Sequence, residues 1–444
     1  MNSILQTQSF INSLNHDKLV LSFNGINEKK TKVNYQRDNC LDIASALEAL
    51  DDVFFNSKYR KDNFKVKQFR YRTIITTLGE IRFKRRQYQS KHRGQKYYYF
   101  LDEILKINPY QRISDEIKKE ILIRVTTDSY QRVANDLDIS KTTVYSLLKS
   151  LRDKIFVNPK VKQKKIDFLY VQADECYVSL QKKLPKKKRN KFIVEQITVH
   201  EGLEYVCKGR NKLINKTLYS RAHNESLDEF IQRVNLHILD SYDYKNIYLY
   251  GDGANWIKSA ADGIGAIYIT DLFHTYQAVN TLTTDKEERK ILTKAVLDNN
   301  FDKFIEHKTT YIEKSRWTKR RKDNFEFLKN KWIYIQRNYT VLQSIGCSQE
   351  GINSHYYARR LTTTPRGFHH ATARVIAQLI SIKNKVKNFS DYLEDYIQLE
   401  EKINRQSKSK YPDIYTIQQG TIPSYLGTTS QRKFIRDLAN PVIY

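Results

Sequence analysis

The stretch IYLYGDGANWIK (Ile247–Lys258) decides the fold class. Its first four residues are β-branched, aromatic or aliphatic, the types that fit a pleated, buried surface. The run then stops at Gly251-Asp252-Gly253, so it reads as a strand ending in a carboxylate between two glycines. A lone Gly-Asp-Gly is also an ordinary turn. What gives this one weight is recurrence. DFLYVQAD (Asp167–Asp174) is a strand-like run ending in Asp174, and AIYITDLFH (Ala266–His274) runs through Asp271.

From about residue 166 strand-like and helix-like segments alternate, which points to an α/β domain. CYVSLQ (Cys176–Gln181) reads as the hairpin partner of the first strand, and FIVEQITVHEG (Phe192–Gly202) as the third strand. A helix near Ser226–Leu239 leads to a fourth strand at Asp252, and a fifth runs into Asp271. Neighbouring parallel strands in such a sheet bring their carboxyl ends together. Asp174, Asp252 and Asp271 gathered there would repel one another unless a cation bridged them. Hard divalent ions such as Mg2+ or Mn2+ take oxygen ligands and keep positions open for phosphates. Two such ions can activate a hydroxyl and stabilise a leaving oxygen. Gly251 and Gly253 would let metal and phosphate approach the backbone closely.

The rest of the composition fits a polyanionic partner. The chain has 444 residues, 77 Lys and Arg against 49 Asp and Glu, and a formal charge of +28. At about 150 residues per domain this is about three structural units, and 40% hydrophobic residues suffice for a real core. Nucleic acid is the first expectation for such a charge, an acidic membrane surface the second. No apolar run is long enough to span a membrane, and the start lacks the marks of a secretory signal, so a cytoplasmic location is expected. Cys40, Cys176, Cys207 and Cys347 form no CxxC pair, which argues against a zinc finger and a disulfide framework.

In the N-terminal half, CLDIASALEALDDVFFNSKY (Cys40–Tyr59) has the spacing of an amphipathic helix. RYRTIITTLGEIRFKRRQYQ (Arg70–Gln89) reads as a hairpin turning at Gly79, with a basic rim of Lys84, Arg85 and Arg86 expected at DNA; GQKYYYF (Gly94–Phe100) can add a strand. DSYQRVANDLDISKTTVYSLLKSL (Asp128–Leu151) has helix-turn-helix spacing. A short helix ends near Leu137, a turn passes through Asp138, Ile139 and Ser140, and a second helix starts near Lys141. Lys141, Thr142, Thr143 and Tyr145 would then stand at the exposed start of a DNA-reading helix. An αα-hairpin without a DNA role has the same pattern; the charge favours the DNA-binding reading.

Several of these segments together resemble one family. QADECYVSLQ (Gln172–Gln181), ITVHEG (Ile197–Gly202), YGDGANWI (Tyr250–Ile257), DLFH (Asp271–His274) and EGINSHYYARRL (Glu350–Leu361) are similar, in order and separation, to ISLre-type insertion-sequence transposases of bacteria. TIITTLGEIRFKRRQY, LDEIL and SYQRVANDLDISKTTVYSLL extend the likeness into the N-terminal half. The resemblance implies a DDE transposase: an α/β catalytic core of ribonuclease-H-like type with a helical insertion, preceded by a small β-hairpin region and an all-α helix-turn-helix domain. It implies Asp174, Asp252 and Glu350 as ligands of two Mg2+ or Mn2+ ions. Asp271 and His274 match an Asp-x-x-His element near the active site of related groups, and Trp256 follows the second Asp at the family's place. Glu175, next to Asp174 on a strand, should face the other way.

The division expected is 1–108 (helix and basic hairpin), 109–160 (helix-turn-helix), 161–284 (core, first part), 285–340 (helical insertion) and 341–444 (core completion with Glu350, and tail). The resemblance implies double-stranded DNA as partner, both element ends and target, a homodimer or larger assembly on it, and a nucleoid-associated place in a bacterial cytoplasm. Lys186, Lys187, Lys188 and Arg189 sit in the loop KKLPKKKRNK (182–191), which reads equally as a clamp on the DNA backbone or a solvated tip. Arg316, Arg320 and Arg321 in the insertion are expected at DNA, whereas Trp317 and Trp332 are expected to be buried. Two other readings stay open: a sequence-specific DNA-binding protein that no longer cuts, and a metal-dependent nuclease without strand transfer.

Overall fold

A computed structural model describes residues 32–91, 97–159, 162–181, 191–208, 210–307, 318–363 and 367–408. The chain forms two compact units, one of Met1–Ile121 with Asn135–Asp138, the other of Leu122–Ala134 with Ile139–Tyr444.

In the first unit, helix α1 (Lys32–Asn56) and short α2 (Lys58–Asn63) precede an antiparallel ribbon of β1 (Phe64–Thr76) and β2 (Gly79–Ser90), to which β3 (Tyr97–Tyr98) adds at Tyr88 and Gln89. The ribbon turns at Gly79, whose φ of +128° suits glycine and few other residues. Cys40, Ala44, Leu47 and Phe54 of α1 share a core with Ile81, Phe83 and Tyr88 of β2. The basic rim is distributed differently from the expectation. Arg85 is buried, paired with Asp102 and stacked over Tyr99. Arg86 pairs with Asp51 at 2.9 Å and with Asp52 at 2.6 Å. Successive residues of a strand face opposite ways, so three consecutive cations could not all lie on one rim. Exposed Arg82 and half-exposed Lys84 are the ribbon cations of β2 open to solvent.

In the second unit a five-stranded mixed sheet runs in the order β10-β9-β4-β5-β8. Its strands are β4 (Lys164–Ser179), β5 (Lys191–His200), β8 (Thr217–Ser220), β9 (Tyr242–Gly251) and β10 (Ile267–Thr270); β6 (Leu203–Cys207) and β7 (Arg210–Leu213) form a separate hairpin. Pairing of β4 with β5 and of β5 with β8 is antiparallel, whereas β4, β9 and β10 are mutually parallel. The segment expected as a hairpin partner, Cys176–Gln181, instead continues β4 through Ser179, and its true partner is β5. The 16-residue strand contains no Gly, Pro or Asn and so offers no internal turn signal. Strand β8, four buried residues, was not expected at all.

Helix α7 (Leu227–Ser241) opens on a capping box, Ser226 with Glu229, and covers the sheet with Phe230, Ile231, Val234 and Ile238. Helix α8 (Asn255–Ile264) adds Ile257, Ala260, Ala261 and Ile264 to the same core. Ile257 is fully buried, which contributes about 1.5–3 kcal/mol. After α9 (Leu272–Leu282), the insertion folds as α10 (Lys286–Leu297), α11 (Phe301–His307) and α12 (Lys319–Thr340) around Leu292, Val296, Phe304, Phe325, Leu328 and Trp332. The buried place expected for Trp332 is found; Trp317 lies outside the described residues. The chain ends its described part with α13 (Gln349–Ile352), a π-helix (Asn353–Thr363), α14 (His370–Lys383) and α15 (Phe389–Lys408).

The helix-turn-helix segment comprises α4 (Asp115–Arg124), α5 (Tyr130–Asp136) and α6 (Lys141–Ser150). Its turn has Asp138 at φ +50° and closes with Ile139 N–H on the Ala134 carbonyl at 3.0 Å. Ser140 caps α6 at Thr143 N, and Val144 and Leu148 are fully buried. No helix among the described residues is long and apolar enough to cross a membrane.

Candidate active site

Three parallel strands deliver three acids to one edge. In the β4–β9 register Gln172 lies opposite Tyr250, and Asp174 and Asp252 each come two residues later. In the β9–β10 register Gly251 lies opposite Thr270, so Asp252 and Asp271 follow level with each other. Asp252 and Asp271 follow the last residues of their strands and open turns, whereas Asp174 lies inside β4, which runs on to Ser179. Asp252 accepts from Ala254 N at 2.9 Å and Asp271 from Phe273 N at 3.1 Å, at the starts of α8 and α9.

Asp174 is 8% exposed. Its Oδ1 accepts from Glu175 N at 2.7 Å and its Oδ2 from the Asn353 amide at 3.1 Å. Burial, reinforced by the like charges of Asp252 and Glu350, outweighs those hydrogen bonds and pushes its carboxyl up to about 6. Asp252 and Glu350 are therefore both within electrostatic reach of Asp174. Glu350, exposed on α13, is placed by side chains on both sides of it. Gln172 Oε1 accepts from Ser348 N at 3.1 Å, and Asn353 donates both to Asp174 and, at 2.9 Å, to the Glu175 carbonyl. Gln172 is itself held by buried His200 at 3.0 Å.

His274 joins the cluster from α9. Its Nδ1 lies 3.1 Å from Asp271 Oδ2. That hydrogen bond raises its pKa against burial, and the charges of Asp271, Asp252 and Asp174 add to the rise. Cys347 stands close enough to feel Asp271, Asp174 and Asp252, but burial holds its thiol far above its ordinary range, so it stays a neutral neighbour. Glu175 points away from Asp174 as expected and has a use there. It accepts from the Trp256 indole at 2.7 Å and from the Tyr177 hydroxyl at 2.7 Å, tying α8, which follows Asp252, to the strand of Asp174.

Both glycines also have a packing role beside the acids. A Cβ on Gly251 would stand 2.6 Å from Ile257 Cγ2 and 3.2 Å from the Ala173 carbonyl, so Gly251 lets α8 and β4 close in beside the acids. Gly253, at φ +102°, would meet the Phe327 ring at 2.9 Å and Lys331 Cε at 3.3 Å. It therefore seats α12 of the insertion on the loop of Asp252, which places Lys331 there.

The acids fit a hard divalent cation in chemistry: an oxygen-only donor set around a carboxylate raised by burial and by its like-charged neighbours. Their spacing is wider than ligation, since among the described residues no group of three or more His, Cys, Asp or Glu is close enough to hold a metal ion. Asn353, Gln172 and Lys331 escaped the sequence reading. Asn353 alone left a signal, standing one helical turn after Glu350.

Of the residues expected at DNA, Lys141 and Thr142 are exposed on α6. The Thr143 hydroxyl is engaged with Ser140 at 2.9 Å, and half-buried Tyr145 packs edge-on against His369. Arg320 is exposed at the start of α12 and Arg321 is half-buried there. Lys186, Lys187, Lys188, Arg189 and Arg316 lie outside the described residues.

A family model described as an uncharacterised protein family, UPF0236, matches residues 21–391. A UPF0236 protein of Caldanaerobacter subterraneus subsp. tengcongensis is 28% identical over 350 residues, covering 76% of this chain and 73% of the relative. Another from the same organism, 28% identical over 349 residues with the same coverages, bears a name that joins eleven locus designations. Among solved structures, the Drosophila P element transposase strand transfer complex aligns over 69% of this chain and 90% of that one, at 11% identity and a TM-score of 0.21, too low to establish a shared fold.

Proposed function

This chain belongs to the uncharacterised protein family UPF0236, and we propose that it is a bacterial insertion-sequence transposase of the ISLre type with a DDE active site. The observation that carries the proposal is that Asp174, itself buried, and Asp252 lie in matching register on two adjacent parallel strands, with Glu350 close enough to act on Asp174. The sheet supports a ribonuclease-H-like reading: an antiparallel half, β4-β5-β8, joined through β4 to a parallel half, β9-β10, with helices between the parallel strands. A relative whose one name covers eleven loci of one genome is what a self-copying element leaves behind.

In this reading Asp174, Asp252 and Glu350 hold Mg2+ or Mn2+. Bound there, a pair of such ions supplies an activated water or 3′ hydroxyl and charge for the leaving oxygen. Asn353 holds the Asp174 carboxylate in orientation. His274, with Nδ1 engaged by Asp271, keeps Nε2 for a phosphate oxygen, and the surrounding acids favour the protonated ring that can donate to it. Lys331 brings a cation to the loop of Asp252. Exposed Lys141 and Thr142 on α6 are the residues placed to meet element ends, and two copies on two ends are needed for strand transfer. A non-cutting DNA-binding protein is the second reading, favoured by the spacing of the acids, which are not drawn in to ligating distance.

The test uses purified protein, Mg2+ and DNA carrying the gene with its flanks. Wild type should cut at the flanks and produce joined strands, and Asp252→Ala should do neither. Cleavage that survives Asp252→Ala refutes the site. Binding without cleavage by the wild type selects the second reading, and cleavage without joined products selects a nuclease.

A further inference from the structure

The β1–β2 ribbon carries a charge pattern that its fold does not need. From Lys65 to Arg72 and from Ile81 to Ser90 it has eight Lys or Arg and no Asp or Glu. Arg85 and Arg86 are neutralised from elsewhere by Asp102, Asp51 and Asp52, and Glu48 accepts from the backbone N–H of Lys84 at 2.7 Å. Two of the remaining cations, Arg82 and Lys84, lie against rings. The Arg82 guanidinium lies 4.6 Å from the centre of Tyr71, and Lys84 Nζ 4.2 Å from that of Phe69. Arg86 lies 5.1 Å from Phe69 and 4.5 Å from Phe55, and Arg60 continues the row at 4.3 Å from Phe55. Arg82, Lys84 and Arg86 alternate along β2 and so share a face.

Even so paired, Phe69 is 49% and Tyr71 61% exposed. A charged edge strand by itself discourages strand-to-strand aggregation, but that role needs no exposed rings. Cations interleaved with aromatic rings are what a nucleic-acid backbone and its sugars and bases recognise. The spacing agrees: alternate strand residues are about 6.8 Å apart, two steps of about 3.4 Å along one DNA strand. The major groove of a duplex admits a two-stranded ribbon.

We propose that this face of the ribbon, with Phe69, Tyr71, Arg82 and Lys84, is a second contact for duplex DNA, separate from α6. The inference rests on the reading that the protein acts on DNA. It is tested by anisotropy of the full chain with a fluorescent duplex of generic sequence and with one of its single strands, over a range of salt. Arg82→Gln with Lys84→Gln should weaken duplex binding about tenfold and lower the log-affinity against log-salt slope by about 1.8, at about 0.9 per phosphate contact. Phe69→Leu with Tyr71→Leu should weaken binding and leave the slope unchanged. Near-wild-type affinity and slope in both pairs of variants overturns the ribbon contact and leaves the active-site reading intact. Tighter wild-type binding to the single strand overturns the choice of duplex. If the wild type binds neither probe, the ribbon contact and the DNA reading fall together.

Discussion

Gly251→Ala is the perturbation whose cost the structure specifies most closely. The added Cβ would stand 2.6 Å from Ile257 Cγ2, 3.0 Å from Ile257 Cδ1 and 3.2 Å from the Ala173 carbonyl. Ile257 is fully buried, so it cannot swing into solvent, and the carbonyl belongs to the strand that delivers Asp174. Overpacking of this kind costs about 1–3 kcal/mol. Ile257→Ala alone leaves a cavity and costs about 2–5 kcal/mol. The same change removes both γ and δ atoms that the new Cβ meets. Combined, the two substitutions should therefore cost about as much as Ile257→Ala alone, an interaction of about 1–3 kcal/mol in favour of the pair. Urea midpoints followed by Trp256 fluorescence measure this, because the indole is bonded to Glu175 beside the same junction. In cleavage, Gly251→Ala should lose on the order of a hundredfold, the usual consequence of moving catalytic groups by about 1 Å. A neutral Gly251→Ala, or a double variant that costs the sum of the two, refutes the close approach of α8 and β4 as the reason for the glycine.

Further outcomes follow from the groups around the acids. Asn353→Ala removes the donor to Asp174 Oδ2 and the Glu175 carbonyl. Metal activation of cleavage should then need about 10–100-fold more Mg2+; an unchanged Mg2+ requirement contradicts the positioning role. Buried His200 is held down to about 4 from an ordinary value of 6.5 by its burial. The unfolded chain therefore binds the extra proton first, so this group's contribution is complete above pH 6.5 and is lost as pH falls towards 4. The loss approaches about 3 kcal/mol. Thermal melts of wild type and His200→Gln across that window check it, and the variant should show the shallower decline.

Much of the second unit was legible because period and punctuation agreed there. The strands ending at Asp252 and Asp271 are short apolar runs stopped by a glycine or a helix cap, and both were read where they occur. The helix-turn-helix turn was legible for the same reason, since Asp138, Ile139 and Ser140 each carry a turn or cap role. Strand β8 was hidden, because four buried residues show no period. β4 was cut too short, because a carboxylate at Asp174 looked like an end while the strand runs on to Ser179. Asn353 and Lys331 depend on which distant elements meet, and that is decided by packing of the insertion and the π-helix. Arg85 and Arg86 look like surface charge in the sequence; their carboxylates come from α1 and from α3 (Phe100–Ile104), far along the chain.

The most direct test of the central claim is Mn2+ binding by the purified chain without DNA, read by electron paramagnetic resonance. The wild type should take up Mn2+, and Asp174→Asn and Asp252→Asn should each lose most of it while melting as the wild type does. Equal Mn2+ uptake by the wild type and both variants would contradict the claim that these carboxylates form a metal site.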